Sequence, residues 1–283
     1  MSNFVLTLSC PDALGIVAAV SKTLTDAQMN IVESNQYGDP DSGQFFMRVA
    51  FSAEGTQGAA AFREMFASVA EAYQMQWEVD DAAKKPRTLI MVSKFDHCLV
   101  DLIYRTQRGS LKMDIAAIAS NHEVGREWAE NANIAYHYWP GGKDKRAENE
   151  AKLKALIDEN EIELILLARY MQILSPEIAA AYPGRIINIH HSFLPSFKGA
   201  RPYHQAFHKG VKIIGATAHY VTGDLDEGHI IEQDVQRVSH NDSPEDLTRK
   251  GNDIESSVLS RAVRWHAEKR VIINGSKTVV FNN

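Results

Sequence analysis

The sequence predicts an α/β protein of two domains: an N-terminal βαββαβ unit, then a doubly wound, mostly parallel sheet. Three observations carry this reading. The chain has 283 residues, too many for one ordinary core and suited to two domains of unequal size. Its first 80 residues alternate strand and helix patterns, with a turn-rich hairpin connection between two of the strands. From residue 88 onward, short unbroken apolar runs alternate with helical segments, as strands buried on both faces do.

Residues 4–10 alternate as a strand, and Pro11-Asp12-Ala13-Leu14-Gly15 turns into an amphipathic helix over 16–27. Strand patterns return at 30–37 and 44–51, flanking the glycine, aspartate, proline and serine of residues 38–43, a hairpin connection. A helix over 59–72 and a strand over 75–79 complete a ferredoxin-like order. The polar segment 80–86, ending in proline, reads as a linker, so the expected division is 1–82, a linker at 83–87, and 88–283.

In the second domain, strands are expected at 88–92, 114–119, 134–138, 164–168 and 185–189, with helices at 98–105, 124–131 and 145–159 between them. Ser175-Pro176 opens a further helix, with serine at the N-cap and proline at the first helical position. Residues 213–221 and 228–236 read as strands joined by a turn, an antiparallel addition to the sheet. A long helix follows over 244–269, with Ser243 as cap and Glu245 and Asp246 where carboxylates suit the helix dipole. Open parallel sheets bind ligands beyond the carboxyl ends of their strands, and Asn188 and His190 fall at such an end.

Composition narrows the function classes. A net charge of −6 gives no reason to expect nucleic acid. The two cysteines, Cys10 and Cys98, fall in different domains without zinc-binding spacing, so neither a disulfide framework nor a metal site is expected. No apolar run reaches the length of a membrane span and the N-terminus lacks a signal pattern, so a cytoplasmic protein is expected.

The chemistry gathers in Asn188-Ile189-His190-His191-Ser192-Phe193-Leu194-Pro195-Ser196-Phe197-Lys198-Gly199, followed by His219-Tyr220-Val221 and Leu225-Asp226-Glu227-Gly228. An amide, an imidazole and a carboxylate suit work on a carbonyl: a donor for the developing oxyanion, a proton carrier, and a base that orients water. Asp226 is also a natural turn residue before Gly228, and Asp224 is its nearest rival as the carboxylate. His219 is a candidate support for Asp226, while His191, His204 and His208 lack a partner pattern. A serine hydrolase built on Ser192 would want a Gly-x-Ser-x-Gly elbow, which is absent. Cys98 is read as packing at a helix start.

These motifs, with Ala168-Arg169-Tyr170-Met171-Gln172-Ile173-Leu174-Ser175-Pro176, resemble the formyltetrahydrofolate-using family of formyltransferase fold over residues 88 to about 270. The resemblance implies catalytic roles for Asn188, His190 and Asp226, and substrate contacts at Met171, Gln172, Ile173, Leu174, Val221 and Asp224. It implies no cofactor, 10-formyltetrahydrofolate being the substrate. Relatives that formylate glycinamide ribonucleotide carry a Gly-x-Gly-Ser-Asn loop after the first strand. Here that segment is Val92-Ser93-Lys94-Phe95-Asp96-His97-Cys98, without glycine, and Asp96 would repel a phosphate. Water is then the expected acceptor.

The strand ending in Cys10-Pro11-Asp12, followed by Gly15-Ile16-Val17, resembles the ligand-loop entry of ACT domains. That resemblance implies an amino-acid-binding regulatory or dimerising unit, with Asp12, Gly15 and Ile16 at the ligand. On the residues alone, Gly15 admits the chain to the helix and Asp12 caps it, and Phe45 and Phe46 are core or interface. An ACT-like unit ahead of a folate domain is similar to the formyltetrahydrofolate deformylases. The likeness implies release of formate for purine synthesis, glycine and methionine as effectors, and a homodimer or homotetramer. A glycinamide-ribonucleotide formyltransferase and a non-catalytic folate or amino-acid sensor are the alternatives.

Overall fold

The strand patterns of the N-terminal segment become an antiparallel sheet in a computed structural model that describes residues 2–53, 55–194 and 202–282. Its elements are β1 (Ser2–Pro11), α1 (Ile16–Asp26), β2 (Asn30–Asp39), β3 (Gln44–Ala53), α2 (Gly55–Ala72) and β4 (Gln76–Asp81). The strand order β2-β3-β1-β4 is that of the expected ferredoxin-like arrangement. Register explains its core: Phe4 faces Phe51, Leu6 faces Val49 and Leu8 faces Met47. These pack with Val20 and Leu24 of α1 and Phe62 and Phe66 of α2. An aromatic chain runs through the cluster, with ring centroids 5.2 Å apart for Phe51 and Phe62 and 5.1 Å for Phe62 and Phe66. Phe45 and Phe46 are both buried.

One local expectation is corrected. The residue at the N-cap of α1 is Gly15, at φ 94°, and no side chain caps the helix, so Asp12 does not. Glycine is needed there for its left-handed conformation and because a Cβ would lie 2.9 Å from the Tyr73 hydroxyl.

The unit spanning Lys85–Ala267 contains β5 (Arg87–Val92), α3 (His97–Gln107), β6 (Asp114–Ser120), α4 (Arg126–Asn131), β7 (Ala135–Tyr138), α5 (Arg146–Glu159) and β8 (Leu164–Ala168). It continues with α6 (Pro176–Ala181), β9 (Ile186–His190), α7 (Pro202–Lys209), β10 (Ile213–Tyr220), β11 (Ile230–Arg237) and α8 (Pro244–Ala267). The sheet order is β11-β10-β9-β8-β5-β6-β7. Strands β5 to β9 pair in parallel, and β10 and β11 add in antiparallel fashion, as expected. Helix α7 has no counterpart in the sequence pattern, because Tyr203, His204, Phe207 and His208 are weak helix formers. No described helix is long and apolar enough to cross a membrane.

Chain direction across the sheet reverses at β5, between β8 and β6, and this switch point is tied together by one hydroxyl. Ser93 Oγ donates to Asn121 Oδ1 at 2.6 Å and accepts from the Met171 amide at 2.9 Å. It thereby joins the segments leaving β5, β6 and β8. Helix α6 begins as its sequence demands: Ser175 is extended at φ −70°, ψ 156°, its hydroxyl accepts from Ile178 N, and Pro176 follows. Ser175→Ala should cost about 1 kcal/mol in urea unfolding; an unchanged midpoint would show that the cap is idle. Ser243 and Asp246 cap α8 reciprocally, each side chain accepting from the other's amide at 3.1 Å. Those hydrogen bonds and the Arg249 guanidinium hold the Asp246 carboxyl at about 2.

The C-terminal residues depart from the expected division. Glu268–Asn283 belong with Met1–Lys84, not with the second unit. They contain a hairpin, β12 (Val271–Asn274) and β13 (Lys277–Val280). The cause is a set of polar anchors. Arg48 on β3 donates through Nε and Nη2 to the Glu268 carbonyl at 3.2 and 3.1 Å, and through Nη1 to Glu33 at 3.0 Å. Arg270 also bonds Glu33 at 3.0 Å, and Asn274 Nδ2 donates to the buried Asp39 carboxylate at 2.7 Å. Cys10 and Cys98 are free, buried thiols.

Candidate active site

Strand pairing assembles the site. In the antiparallel register of β9 with β10, Asn188 lies opposite His219 and His190 opposite Thr217. Side chains two apart on a strand share a face, so all four point to one side of the sheet. The loop after β10 then returns Asp226, whose Oδ1 stands 3.3 Å from His190 Nδ1 and 3.9 Å from His219 Nε2. The structure therefore brings together Asn188, His190 and Asp226 as the sequence predicts.

Hydrogen bonding sets the protonation of each partner. His219 Nδ1 lies 2.9 Å from the Tyr220 carbonyl, which can only accept, so Nδ1 carries the proton. His219 is 2% exposed, and burial lowers its pKa and keeps the ring neutral. Nε2 is then an acceptor, and Asn188 Nδ2 donates to it at 3.2 Å. His219 thus orients the Asn188 amide, where the sequence suggests support for Asp226. The hydrogen bond from His190 holds the Asp226 carboxyl below its ordinary value, against burial. His190 Nε2 is buried and has no hydrogen-bond partner among the described residues. His191, its ring centroid 4.8 Å from that of His190, is held neutral by burial and by the charge of Arg169, its pKa lowered to about 4.

The backbone around Asp226 is special. Asp226 has φ 59°, a left-handed conformation that aspartate tolerates better than most residues. Two residues on, a Cβ at Gly228 would fall 1.6 Å from the Tyr220 carbonyl oxygen. Only glycine lets this loop press against β10, where Tyr220 N donates to His229 O at 2.9 Å. Behind the site, the buried Thr217 hydroxyl donates to Ser192 O at 3.0 Å and accepts from Leu194 N at 3.1 Å. Gln233 Nε2 on β11 bridges Thr217 Oγ1 and Leu194 O at 2.9 and 3.0 Å. Composition and motif spacing do not reveal these braces, because they depend on the register of β10 and β11. The motif residues Pro195, Ser196, Phe197, Lys198 and Gly199 lie outside the described residues.

The formyl transferase family matches residues 86–263. A formyltetrahydrofolate deformylase of Bacillus subtilis is 52% identical over 279 residues, 98% of this chain and 93% of that relative. The chain belongs to the formyltetrahydrofolate deformylase family. The crystal structure of a Burkholderia mallei formyltetrahydrofolate deformylase agrees, with a TM-score of 0.93 and 49% identity over 99% of this chain and 100% of that one. A phosphoribosylglycinamide formyltransferase from Coxiella burnetii is more distant, with a TM-score of 0.65 and 29% identity over 71% of this chain and 95% of that one.

For a chain of the deformylase family, the remaining site residues fall into two groups. Met171, Gln172, Ile173 and Leu174 line one cavity of about 270 Å³, together with Tyr170 and with Arg146 and Glu150 of α5. Val221 and Asp224 are not among its lining. Val221 packs on the sheet core and donates its amide to Ile186 O at 2.9 Å. Asp224 is exposed; its carbonyl oxygen accepts from Thr222 Oγ1 at 3.3 Å, and its carboxylate makes no contact with Asn188 or His190 among the described residues. In the N-terminal unit Gly15 caps α1, Ile16 is a core residue at 2% exposure, and Asp12 is exposed, its amide bonded to Gly43 O.

The turn after β5 is engaged internally. Ser93 is held as described above, Asp96 accepts from Trp128 Nε1 at 3.0 Å, and His97 Nε2 meets Glu255 at 2.7 Å, while Lys94 is exposed. His97, Cys98 and Glu255 offer ligand atoms within 4.8 Å of one another. The chemistry is wrong for a cation: Arg169 lies 3.3 Å from the same carboxylate, and burial followed by the charge of Glu255 pushes the Cys98 thiol well up.

Proposed function

We propose that the protein hydrolyses 10-formyltetrahydrofolate to formate and tetrahydrofolate. The observation that carries the mechanism is the buried Nε2 of His190, without a hydrogen-bond partner among the described residues, on a ring whose Nδ1 faces the Asp226 carboxylate. Asp226 holds the proton on Nδ1 and leaves Nε2 as the base. A water oxygen adds to the formyl carbon while its proton passes to His190 Nε2. The Asn188 amide, with one hydrogen fixed on His219, gives its other to the oxyanion. As the carbon–nitrogen bond breaks, His190 returns the proton to N10, which leaves as a neutral arylamine, and the formic acid product ionises to formate. Each residue acts with its own side chain, so the reading needs no cofactor.

Names of the similar proteins support this reading, and so does the turn after β5, where Ser93, Asp96 and His97 are already engaged with Asn121, Trp128 and Glu255. Incubation with 10-formyltetrahydrofolate should release formate at the same rate with and without glycinamide ribonucleotide. Turnover that requires the nucleotide and yields no formate would make the protein a transferase instead. Asn188→Ala should slow formate release by about a hundredfold, as loss of one oxyanion donor does; a wild-type rate would remove Asn188 from the oxyanion site.

We further propose that the N-terminal unit binds an amino acid, with glycine and methionine the first to test, and pairs copies of the chain into a homodimer or homotetramer. Strand β2 ends its sheet with Val32 exposed, an edge suited to pairing. A single monomeric species in sedimentation would refute the pairing.

A further inference from the structure

A second polar cluster lies deep in the Lys85–Ala267 unit, around Glu255 of α8. Its side chain is 0% exposed, yet three elements deliver partners to it. His97 at the start of α3 comes to 2.7 Å, Tyr203 of α7 donates its hydroxyl at 2.5 Å, and Arg169, just after β8, stands at an ion-pair distance of 3.3 Å. One turn earlier on α8 is Gly251, where a Cβ would lie 2.1 Å from the Tyr203 ring. The missing side chain lets that ring lie against the helix and reach the carboxylate. Burial alone would raise the Glu255 carboxyl, but the hydrogen bond from His97 and the charge of Arg169 outweigh it, so the group is ionised.

Arg169 is the informative partner. It is buried, at 8% exposure, and its backbone is left-handed at φ 63°, a conformation a long side chain rarely adopts unless its surroundings enforce it. Two contacts do so: the Glu255 carboxylate, and the Phe95 ring 5.3 Å beneath the guanidinium. The chain leaves this turn as Tyr170 to Leu174, the segment lining the cavity, and is held at a second point where Met171 N donates to Ser93. Losing the carboxylate would leave Arg169 buried without a counter-charge, a state a protein relieves by moving the arginine. The turn would move with it. Asn188 and His190 would not, being held on β9, nor would Asp226, whose loop lies against β10 at Gly228.

We propose that Glu255 is a positioning residue for folate binding: through Arg169 it fixes the left-handed turn that sends Met171 to Leu174 into the cavity. The proposal rests on the hydrolase reading above. It separates two roles: the β9–β10 face carries the chemistry, and the Glu255–Arg169 pair sets how the folate is held.

Glu255→Gln keeps the shape and removes the charge. It should raise KM for 10-formyltetrahydrofolate, and the Kd of tetrahydrofolate measured by fluorescence titration, by about tenfold, with kcat within about threefold of wild type. Tyr203→Phe removes one hydrogen bond and spares the ion pair, so Tm should fall while KM stays within about twofold of wild type. In an Arg169→Met background, adding Glu255→Gln should leave KM unchanged, because the residue through which it acts is gone. If Glu255→Gln does not fold, Arg169→Lys gives the same readout, since a lysine cannot reproduce the guanidinium's contacts with both carboxylate and ring. Wild-type KM and Kd in folded Glu255→Gln would overturn the proposal. So would a KM that follows Tm in Tyr203→Phe, or additive effects in the double variant. A wild-type protein that neither releases formate nor binds tetrahydrofolate would overturn the hydrolase reading itself, a failure distinct from one confined to the variants.

Discussion

Asp226→Asn should slow formate release by about a thousandfold and leave tetrahydrofolate binding close to wild type. Shape and backbone are preserved, because asparagine accepts the left-handed φ of 59° as readily as aspartate. What changes is the proton on His190. An amide facing Nδ1 can donate to it, which moves the imidazole proton to Nε2 and removes the base from the atom that meets water. The same substitution has a signature in stability. The Asp226 pKa is depressed by its hydrogen bond with His190, so its contribution is complete above the ordinary carboxylate range and is lost as pH falls through the folded-state value. The urea midpoint of wild type should exceed that of Asp226→Asn by a constant margin above about pH 5, and the two should converge in stronger acid. Unchanged turnover would move the carboxylate role to Asp224 or to solvent.

Gly228→Ala should disrupt both fold and activity. Its Cβ would sit 1.6 Å from the Tyr220 oxygen, 2.8 Å from the Tyr220 carbonyl carbon and 3.0 Å from His219 Nδ1. No flexible side-chain tip is available to yield, because the obstacle is the backbone of β10, held between β9 and β11. The loop must withdraw, taking Asp226 from His190 and disturbing the bond between His219 and Tyr220. A loss of about 3 kcal/mol or more is expected, beyond the ordinary effect of one methyl group, with formate release falling at least as far as in Asp226→Asn. A variant that melts with wild type and turns over normally would show that the loop does not press on β10 in this way.

Much of this is legible in the sequence because periodicity reports which face a residue occupies. Asn188 and His190 stand two apart at the end of an apolar run, and a parallel sheet presents such an end to ligands. The tie from His219 to Asn188 was not legible, because strands β9 and β10 are separated by a long connection and their register follows from packing. Glu255 was hidden for a related reason: on α8 it reads as one of several charges on an amphipathic helix, and only the neighbouring segments show that its face is buried. The terminal hairpin is a different case. Gly275-Ser276 between two apolar runs is a turn signal, and Gly275, the first residue of that two-residue loop, takes a positive φ of 58°. The sequence does not tell which unit that hairpin, a two-stranded sheet of its own, packs with.

That hairpin bears on how the protein is made. Ribosomes deliver the strands of β1 to β4 first, yet Arg48, Glu33 and Asp39 meet their partners Glu268, Arg270 and Asn274 only after the whole Lys85–Ala267 unit has been synthesised. The N-terminal sheet must therefore wait for those partners with Arg48 and Asp39 open to water, whereas the Lys85–Ala267 unit is one contiguous segment. A chain released at residue 267 should show the N-terminal unit more sensitive to protease than in the full chain, with the Lys85–Ala267 unit as well protected as before. The order of emergence and the order of completion are thereby inverted.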